Sequence, residues 1–294
     1  MDIADLKTFE AVMRLGSMNK AATELNTVQS NISTRVRALE SELGVTLLQR
    51  HARGVVATPA GQRLLPFATR LVKLMADARA AAVDEGTPNG ALVLGALETT
   101  TALRLSPVLT DYSRKYPSVR LALNTGTTAR LLQNVLDYKL DGAFVAGPVS
   151  HPDLEQEAVF AEELVLVTSP SIRSPRQLAL LHGLRTVVFQ LGCSYRQRLE
   201  SYLAQQGIVA AQPLEFGALD AIVGCVAAGV GVTFLPKGLV SAHADAGTVA
   251  IHKLPGSQSF VQTLFVWRKD VYLTSAMKAF LELARQHYQA RDAA

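Results

Sequence analysis

Gln29, Ser30, Asn31, Ser33 and Thr34 gather side chains that both donate and accept hydrogen bonds into one short run, and Arg35 and Arg37 follow at once. Presented along one side of a helix, such groups can meet base edges or phosphates, because a helix fits the major groove of DNA. A little further on, Arg50 and Arg53 sit in a basic, glycine-closed segment, Gln49-Arg50-His51-Ala52-Arg53-Gly54, suited to neighbouring phosphates or the narrow minor groove. A second group of candidates lies far downstream, in Thr99-Thr100-Thr101, Thr125-Gly126-Thr127-Thr128 and Gly192-Cys193-Ser194. Hydroxyls beside the free amides of a helix start suit a carboxylate or a similar anion. Each group also has a plainer reading. The first could be the solvated face of a three-helix docking bundle, and threonine or glycine at helix starts often serves only as a cap.

Other chemistries lack their residues. His51, His151, His182, His243, His252 and His287 are scattered, with no pair at helical ligand spacing and no nearby cysteine pair, so no metal site is expected. GxGxxG after the first strand, GxxxxGK[ST] and GxSxG are all missing, and no nucleophile–base pair stands out. No catalytic residue and no cofactor is therefore expected, and a small-molecule enzyme stays only as an alternative.

The elements that must carry these residues follow from periodicity. Ile3, Leu6, Phe9, Val12 and Met13 mark one face of a helix that Gly16 ends, and Ser17 is placed to cap the next. A short second helix turns Ala21, Ala22 and Leu25 inward. After Asn26-Thr27, a third carries Ile32, Val36, Leu39 and Leu43 on one face and Gln29, Ser30, Ser33, Thr34 and Arg37 on the other, flanked by Arg35. Two short strands and a basic turn come next. Helix, short helix, turn, helix and basic hairpin is the layout of a winged helix-turn-helix over residues 1–58.

Residues 59–85 predict one long helix with Pro59 in its first turn and Pro66 as its only internal breaker. Leu64, Phe67, Leu71, Leu74 and Ala78 recur by threes and fours as a seam for pairing. Glu85-Gly86-Thr87-Pro88-Asn89-Gly90 then reads as the hinge, with linker helix and hinge assigned to residues 59–89 and the next domain taken from 90. Beyond it, strand-like and helix-like runs alternate to residue 294: strands near 91–97, 119–124, 143–146, 164–168, 187–190, 214–216 and 230–235, with helices near 103–116, 128–139, 195–206 and 219–228. That is an α/β domain with mostly parallel sheets in two lobes, whose ligand would sit beyond the strand ends.

Composition agrees. The chain has 294 residues, 49% hydrophobic and 18% charged, enough for two domains or three lobes around real cores. Its net charge of +4 is too small to imply bulk attraction to nucleic acid, so any DNA affinity rests on local placement. Two cysteines exclude a disulfide-dense scaffold. The start, MDIADLKTFE, is acidic where a signal peptide is basic, and the most apolar stretch, 218–236, is broken by Asp220 and three glycines. A cytoplasmic, membrane-free protein is expected.

The stretch GSMNKAATELNTVQSNISTRVRALESELGVTLLQRHARGVVATPAG resembles the DNA-binding domain of LysR-type transcriptional regulators. The resemblance rests on Ala21-Ala22, Gln29-Ser30, Ser33, Leu39-Glu40, Leu43-Gly44, Leu47-Leu48, Arg50, Gly54 and Thr58-Pro59-Ala60-Gly61 in fixed order. Family members usually carry Ser or Thr just before the Gln; here that position is Val28, so the cap is expected from Thr27 or Asn26. The resemblance implies a dimerisation helix and a periplasmic-binding-protein-like effector domain at 90–294. Subdomain I would take 90–162 and 268–294 and subdomain II 163–267, with crossings near Glu162 and Trp267. It also implies a dyad-symmetric double-stranded operator, a small-molecule effector such as a carboxylate, a dimer of dimers, and contact with RNA polymerase. Thr100, Thr127 and Ser194 are the foremost expected effector contacts, with Arg196 as a possible added charge. Peroxide-sensing members use a cysteine in a loop comparable to that of Cys193. A helix dipole there would lower its thiol pKa, but the only resolving candidate, Cys225, reads as buried. A small cleft-lining Cys193 is the preferred reading and a thiol sensor the alternative.

Overall fold

A computed structural model describes residues 1–51, 54–181 and 183–292, which fall into two units, Met1–Asp84 and Glu85–Ala294. In the first, Asp2 caps α1 (Ile3–Leu15) by accepting from the Ala4 amide, and Gly16 closes it at φ 63°, a left-handed conformation that glycine adopts without strain. Ser17 caps α2 (Met18–Glu24). The third helix, α3 (Gln29–Leu43), starts at Val28, which offers no side-chain cap. Asn26, in the left-handed region at φ 50°, turns the chain, and Thr27 Oγ1 instead accepts from Asn31 Nδ2. The expected cap from Thr27 or Asn26 is thus absent.

Strands β1 (Leu48–His51) and β2 (Gly54–Ala57) form an antiparallel hairpin. Glu40 ties it to α3, its Oε1 accepting from the Leu47 and Leu48 amides at 2.7 and 3.1 Å. The helix α4 (Pro59–Val83) follows directly. Thr58 caps it, its hydroxyl accepting from the Gly61 amide and donating to the Thr46 carbonyl. A Cβ on Gly61 would lie 2.2 Å from the Leu47 carbonyl oxygen, so only glycine lets α4 pass this close to the hairpin. The Thr-Pro-Ala-Gly run therefore has a physical reason at both ends. Phe9, Val12, Ile32, Leu39, Leu47 and Ala68 close the core of this unit, each large side chain contributing roughly 1.5–3 kcal/mol by burial.

The second unit opens with β3 (Gly90–Ala96) and a continuous helical run: α5 (Glu98–Thr100), a π turn (Thr101–Leu105) and α6 (Ser106–Lys115). The run starts at Glu98, five residues before the expected 103. Pro107 has no N–H and its ring would strike the Leu103 carbonyl, so the helix widens just ahead of it and the Ser106 amide bonds to Thr101. Then come β4 (Val119–Thr125), α7 (Thr128–Leu136), β5 (Gly142–Ala146) and the long β6 (Leu154–Thr168). Next are β7 (Val187–Phe189), α8 (Ser194–Gln205), β8 (Leu214–Phe216) and α9 (Leu219–Ala227). The chain ends with β9 (Thr233–Pro236), α10 (Lys237–Asp245), β10 (Ala250–Lys253), β11 (Phe260–Arg268) and α11 (Ser275–Asp292).

The sheets of the two lobes share one strand, β6. As far as Glu163, β6 pairs with β11, and from Leu164 on it pairs with β9 and then also with β10. The first lobe has the order β4-β3-β5-β11-β6. Among the described residues, the strand pairs that run parallel are β3 with β4, β3 with β5 and β7 with β8; the pairs of β6 and β11 are antiparallel. The expectation of mostly parallel sheets is corrected accordingly. The crossing strand and its return run against their neighbours, and periodicity carries no sign of direction. The return also lies earlier than expected, at Phe260 rather than Trp267, because Val261 and Leu264 to Val266 are already buried in the first lobe's sheet.

Candidate functional site: an exposed helix face and an interlobe cleft

On α3, Gln29, Ser30, Asn31, Thr34 and Arg37 are exposed, as is Arg50 on β1. Arg37 and Arg50 have no acidic partner among the described residues. Two expected members differ. Ser33 is buried and accepts a hydrogen bond from Gln29 Nε2 at 3.0 Å, so it positions the glutamine rather than facing outward. Arg35 reaches back to Asp5 of α1 at 3.0 Å, which holds the two helices together. Arg53 lies outside the described residues.

Along α4, Phe67, Leu71, Leu74 and Ala78 are exposed, Phe67 by 67%. Leu64 departs from that row, half-buried against the core of its own unit. Ala68, one residue and so about 100° around the helix from Phe67, is fully buried. The helix therefore uses one face for its own domain and leaves a second apolar face uncovered.

The second unit holds a cavity of about 200 Å³ between its lobes. The first lobe supplies Leu97, Glu98 and Thr99 after β3, Thr125 as the last residue of β4, and Gly126, Thr127 and Arg130 beyond it. The second supplies Phe189 and Gln190 at the end of β7, Cys193 and Tyr195 around the start of α8, and Phe216 and Gly217 at the end of β8. Every contributor lies at or beyond the carboxyl end of a strand, where open α/β folds place their ligands.

Several expected contacts move. Thr100 is buried inside the helical run and Thr101 bonds to the Leu97 carbonyl; neither lines the cavity. The cause is the early helix start, which turns Thr99 alone of the three towards the cleft. Gly192 and Ser194 also lie off the lining. Gly192, at φ 92°, instead brings its carbonyl to the Ala129 amide at 3.3 Å, and a Cβ there would sit 2.9 Å from Ala129 Cβ. Arg196 is spent on Glu200 and Glu215 at 2.9 and 2.6 Å. The helix-start amides are largely occupied too. Arg130 N donates to the Thr127 hydroxyl and Leu219 N to Glu98 Oε1.

Cys193, just before α8, is buried. Burial pushes its thiol above the ordinary value, outweighing the Arg196 and Tyr195 backbone amides that pull it down. The dipole argument for a lowered pKa is thereby reversed. Burial likewise pushes the Tyr195 phenol up, and its oxygen lies 3.4 Å from the Thr99 hydroxyl. Cys225, expected to be buried, is half-exposed. Sequence reasoning passed over Glu98, Arg130, Phe189, Gln190, Tyr195 and Phe216. The signal for Glu98 and Arg130 was a charge directly after a strand end or in the first turn of a helix. For the aromatic residues no local signal existed.

Among the described residues no group of three or more metal-ligating side chains is assembled, and no helix is long and apolar enough to cross a membrane.

A winged helix-turn-helix on one unit and a two-lobed effector domain on the other define the class: a DNA-binding transcriptional regulator. The model of the LysR substrate binding domain matches residues 85–289, and that of the bacterial regulatory helix-turn-helix protein, lysR family, matches residues 3–62. The chain is 41% identical to the HTH-type transcriptional regulator GltR of Bacillus subtilis, over 99% of this chain and 98% of that one. It is 42% identical to the HTH-type transcriptional regulator YofA of Bacillus velezensis, over 96% of each. Among solved structures, a full-length OxyR variant from Pseudomonas aeruginosa shares the fold at a TM-score of 0.75 and 20% identity, covering 98% of this chain and 95% of that one. ArgP from Mycobacterium tuberculosis does so at 0.68 and 18%, covering 98% and 97%. The chain belongs to the LysR family of bacterial transcriptional regulators.

Proposed function

We propose that this regulator binds a dyad-symmetric operator as a dimer paired through α4, and that a small anionic effector in the interlobe cleft biases which arrangement on DNA is favoured. Gln29, Ser30, Asn31, Thr34 and Arg37 enter the major groove, and Arg50 with its neighbour Arg53 meets flanking phosphates. The observation that carries the DNA reading is the exposure of Arg37 and Arg50 without acidic partners, beside a face of short hydrogen-bonding side chains. Phe67, Leu71, Leu74 and Ala78, apolar and uncovered on one chain, support pairing through α4. A second pairing into a dimer of dimers, contact with RNA polymerase and a cytoplasmic location belong to the same reading. In the cleft Arg130 is the cation for an effector carboxylate, with the hydroxyls of Thr99, Thr125 and Thr127 and the Gln190 amide around it. With its thiol neutral and buried, Cys193 serves as a wall of the cleft rather than as a sensor.

The test is selection of duplexes from a random library by the full-length protein. Two half-sites in inverted repeat are expected. Gln29→Ala and Arg37→Ala should each weaken binding to the selected duplex by about 1–3 kcal/mol, Arg37→Ala also lowering the salt dependence. Wild-type affinity in both variants would sink the assignment of this face.

A further inference from the structure

The charges in the cleft narrow the ligand, given that the effector sits there. Glu98 and Arg130 line the same small cavity yet do not pair with each other. Glu98 Oε1 accepts from the Leu219 amide at 3.1 Å, across the cleft at the start of α9, and neither side chain has an ion-pair partner among the described residues. A ligand that displaces water from both must offer each its counter-charge, because a desolvated charge left unpaired is costly. A plain carboxylate satisfies Arg130 but sets a like charge beside Glu98. A plain amine does the reverse.

The other ionisable groups on the wall do not alter this balance. Burial keeps Cys193 as the thiol and Tyr195 as the phenol. The charges therefore sum to zero, and Leu97, Phe189 and Phe216 give an apolar wall for a carbon side chain.

We propose that the effector is a zwitterion of the α-amino-acid class, its ammonium on Glu98 and its carboxylate on Arg130. Both contacts lie on the first lobe, and Glu98 itself reaches the start of α9 in the opposite lobe. Glu98 is then the residue that discriminates an amino acid from its deaminated acid.

Isothermal titration calorimetry of the full-length protein against the L-α-amino acids of proteins and their deaminated acids tests this. At least one amino acid should bind, and its deaminated acid should bind about tenfold or more weakly. Glu98→Gln keeps an oxygen for the Leu219 amide, so it should fold normally. It should weaken the amino acid and remove the handicap of the deaminated acid. Deaminated acids binding as well as amino acids, or binding alone, would overturn the zwitterion while leaving an anion site in the cleft. No binding by any amino acid overturns it equally. Binding that Arg130→Ala leaves unchanged would instead remove the effector from this cleft altogether.

Discussion

The helix-turn-helix face and the interlobe cleft are both built from polar side chains near helix starts, but the first is an exposed helix surface and the second the wall of a cavity. The candidate DNA contacts come from one short stretch and look outward, with Arg37 and Arg50 lacking an acidic partner among the described residues. The cleft draws on residues from Leu97 to Gly217, and most of its helix-start groups are already occupied. Arginines show the contrast most clearly. Arg35 and Arg196 are spent holding elements together, while Arg37 and Arg130 stay available. A convex surface advertises function through periodicity on one helix, whereas a concave one depends on which neighbours have consumed which groups.

The largest expected effect would separate the two units by stability. Phe265 is fully buried, edge-on to Phe144 at 4.8 Å and packed over Gly142. Phe265→Ala should cost about 3–5 kcal/mol. Urea unfolding of the full-length protein should show it, with DNA binding retained at low denaturant if the helix-turn-helix unit folds by itself. The mirror experiment is Gly61→Ala. Its new methyl meets the Leu47 carbonyl rather than a movable side chain, so about 1–3 kcal/mol should be lost. Here DNA affinity should fall while ligand binding in the cleft persists; loss of both would show that the units are more strongly coupled than their cores suggest.

A smaller change sharpens the same point. Thr58→Val removes the cap on α4 and the bond to Thr46, a loss of about 1 kcal/mol, readable as a lower melting temperature.

Protonation gives the two smallest effects, both in the cleft unit. Burial holds the His252 imidazole below its ordinary value of 6.5. The folded state thus disfavours the proton that the unfolded chain accepts, and the stability present above 6.5 should be lost as pH falls below it. Melting temperatures across that window should drop less in His252→Gln than in the wild type. Cys193 has the opposite sign, its thiol pushed up by burial. Its contribution is complete below the ordinary value of 9.0 and declines as pH rises above it. Iodoacetamide should accordingly modify Cys193 more slowly than a free thiol at the same pH, and fast labelling would revive the thiol-sensor alternative.

Much of the fold was legible because local rules and tertiary structure agree. Gly16, Ser17, Gly44 and Thr58 end or begin helices where their conformational and capping preferences place them. Strand β8 occupies the residues that its alternating Leu-Glu-Phe segment marks. The direction of β6 and β11 was not legible, since alternation looks the same in parallel and antiparallel pairs. Nor was the burial of Ser33, whose place on the polar side of α3 is overridden by Gln29 folding over it.

By itself, then, the sequence determined the helix-turn-helix unit, the apolar stripe of α4 and the alternating elements of the effector domain, because each depends on residues a few positions apart. Only the tertiary structure decided which of Thr99, Thr100 and Thr101 faces the cleft, that Arg196 is engaged and Arg130 is not, and that Glu98 and Arg130 share a cavity. Those outcomes depend on a π turn ahead of Pro107 and on elements meeting across more than a hundred residues, as Glu98 and Leu219 do. No local pattern can encode them, because the energy that selects them comes from partners the local sequence does not contain.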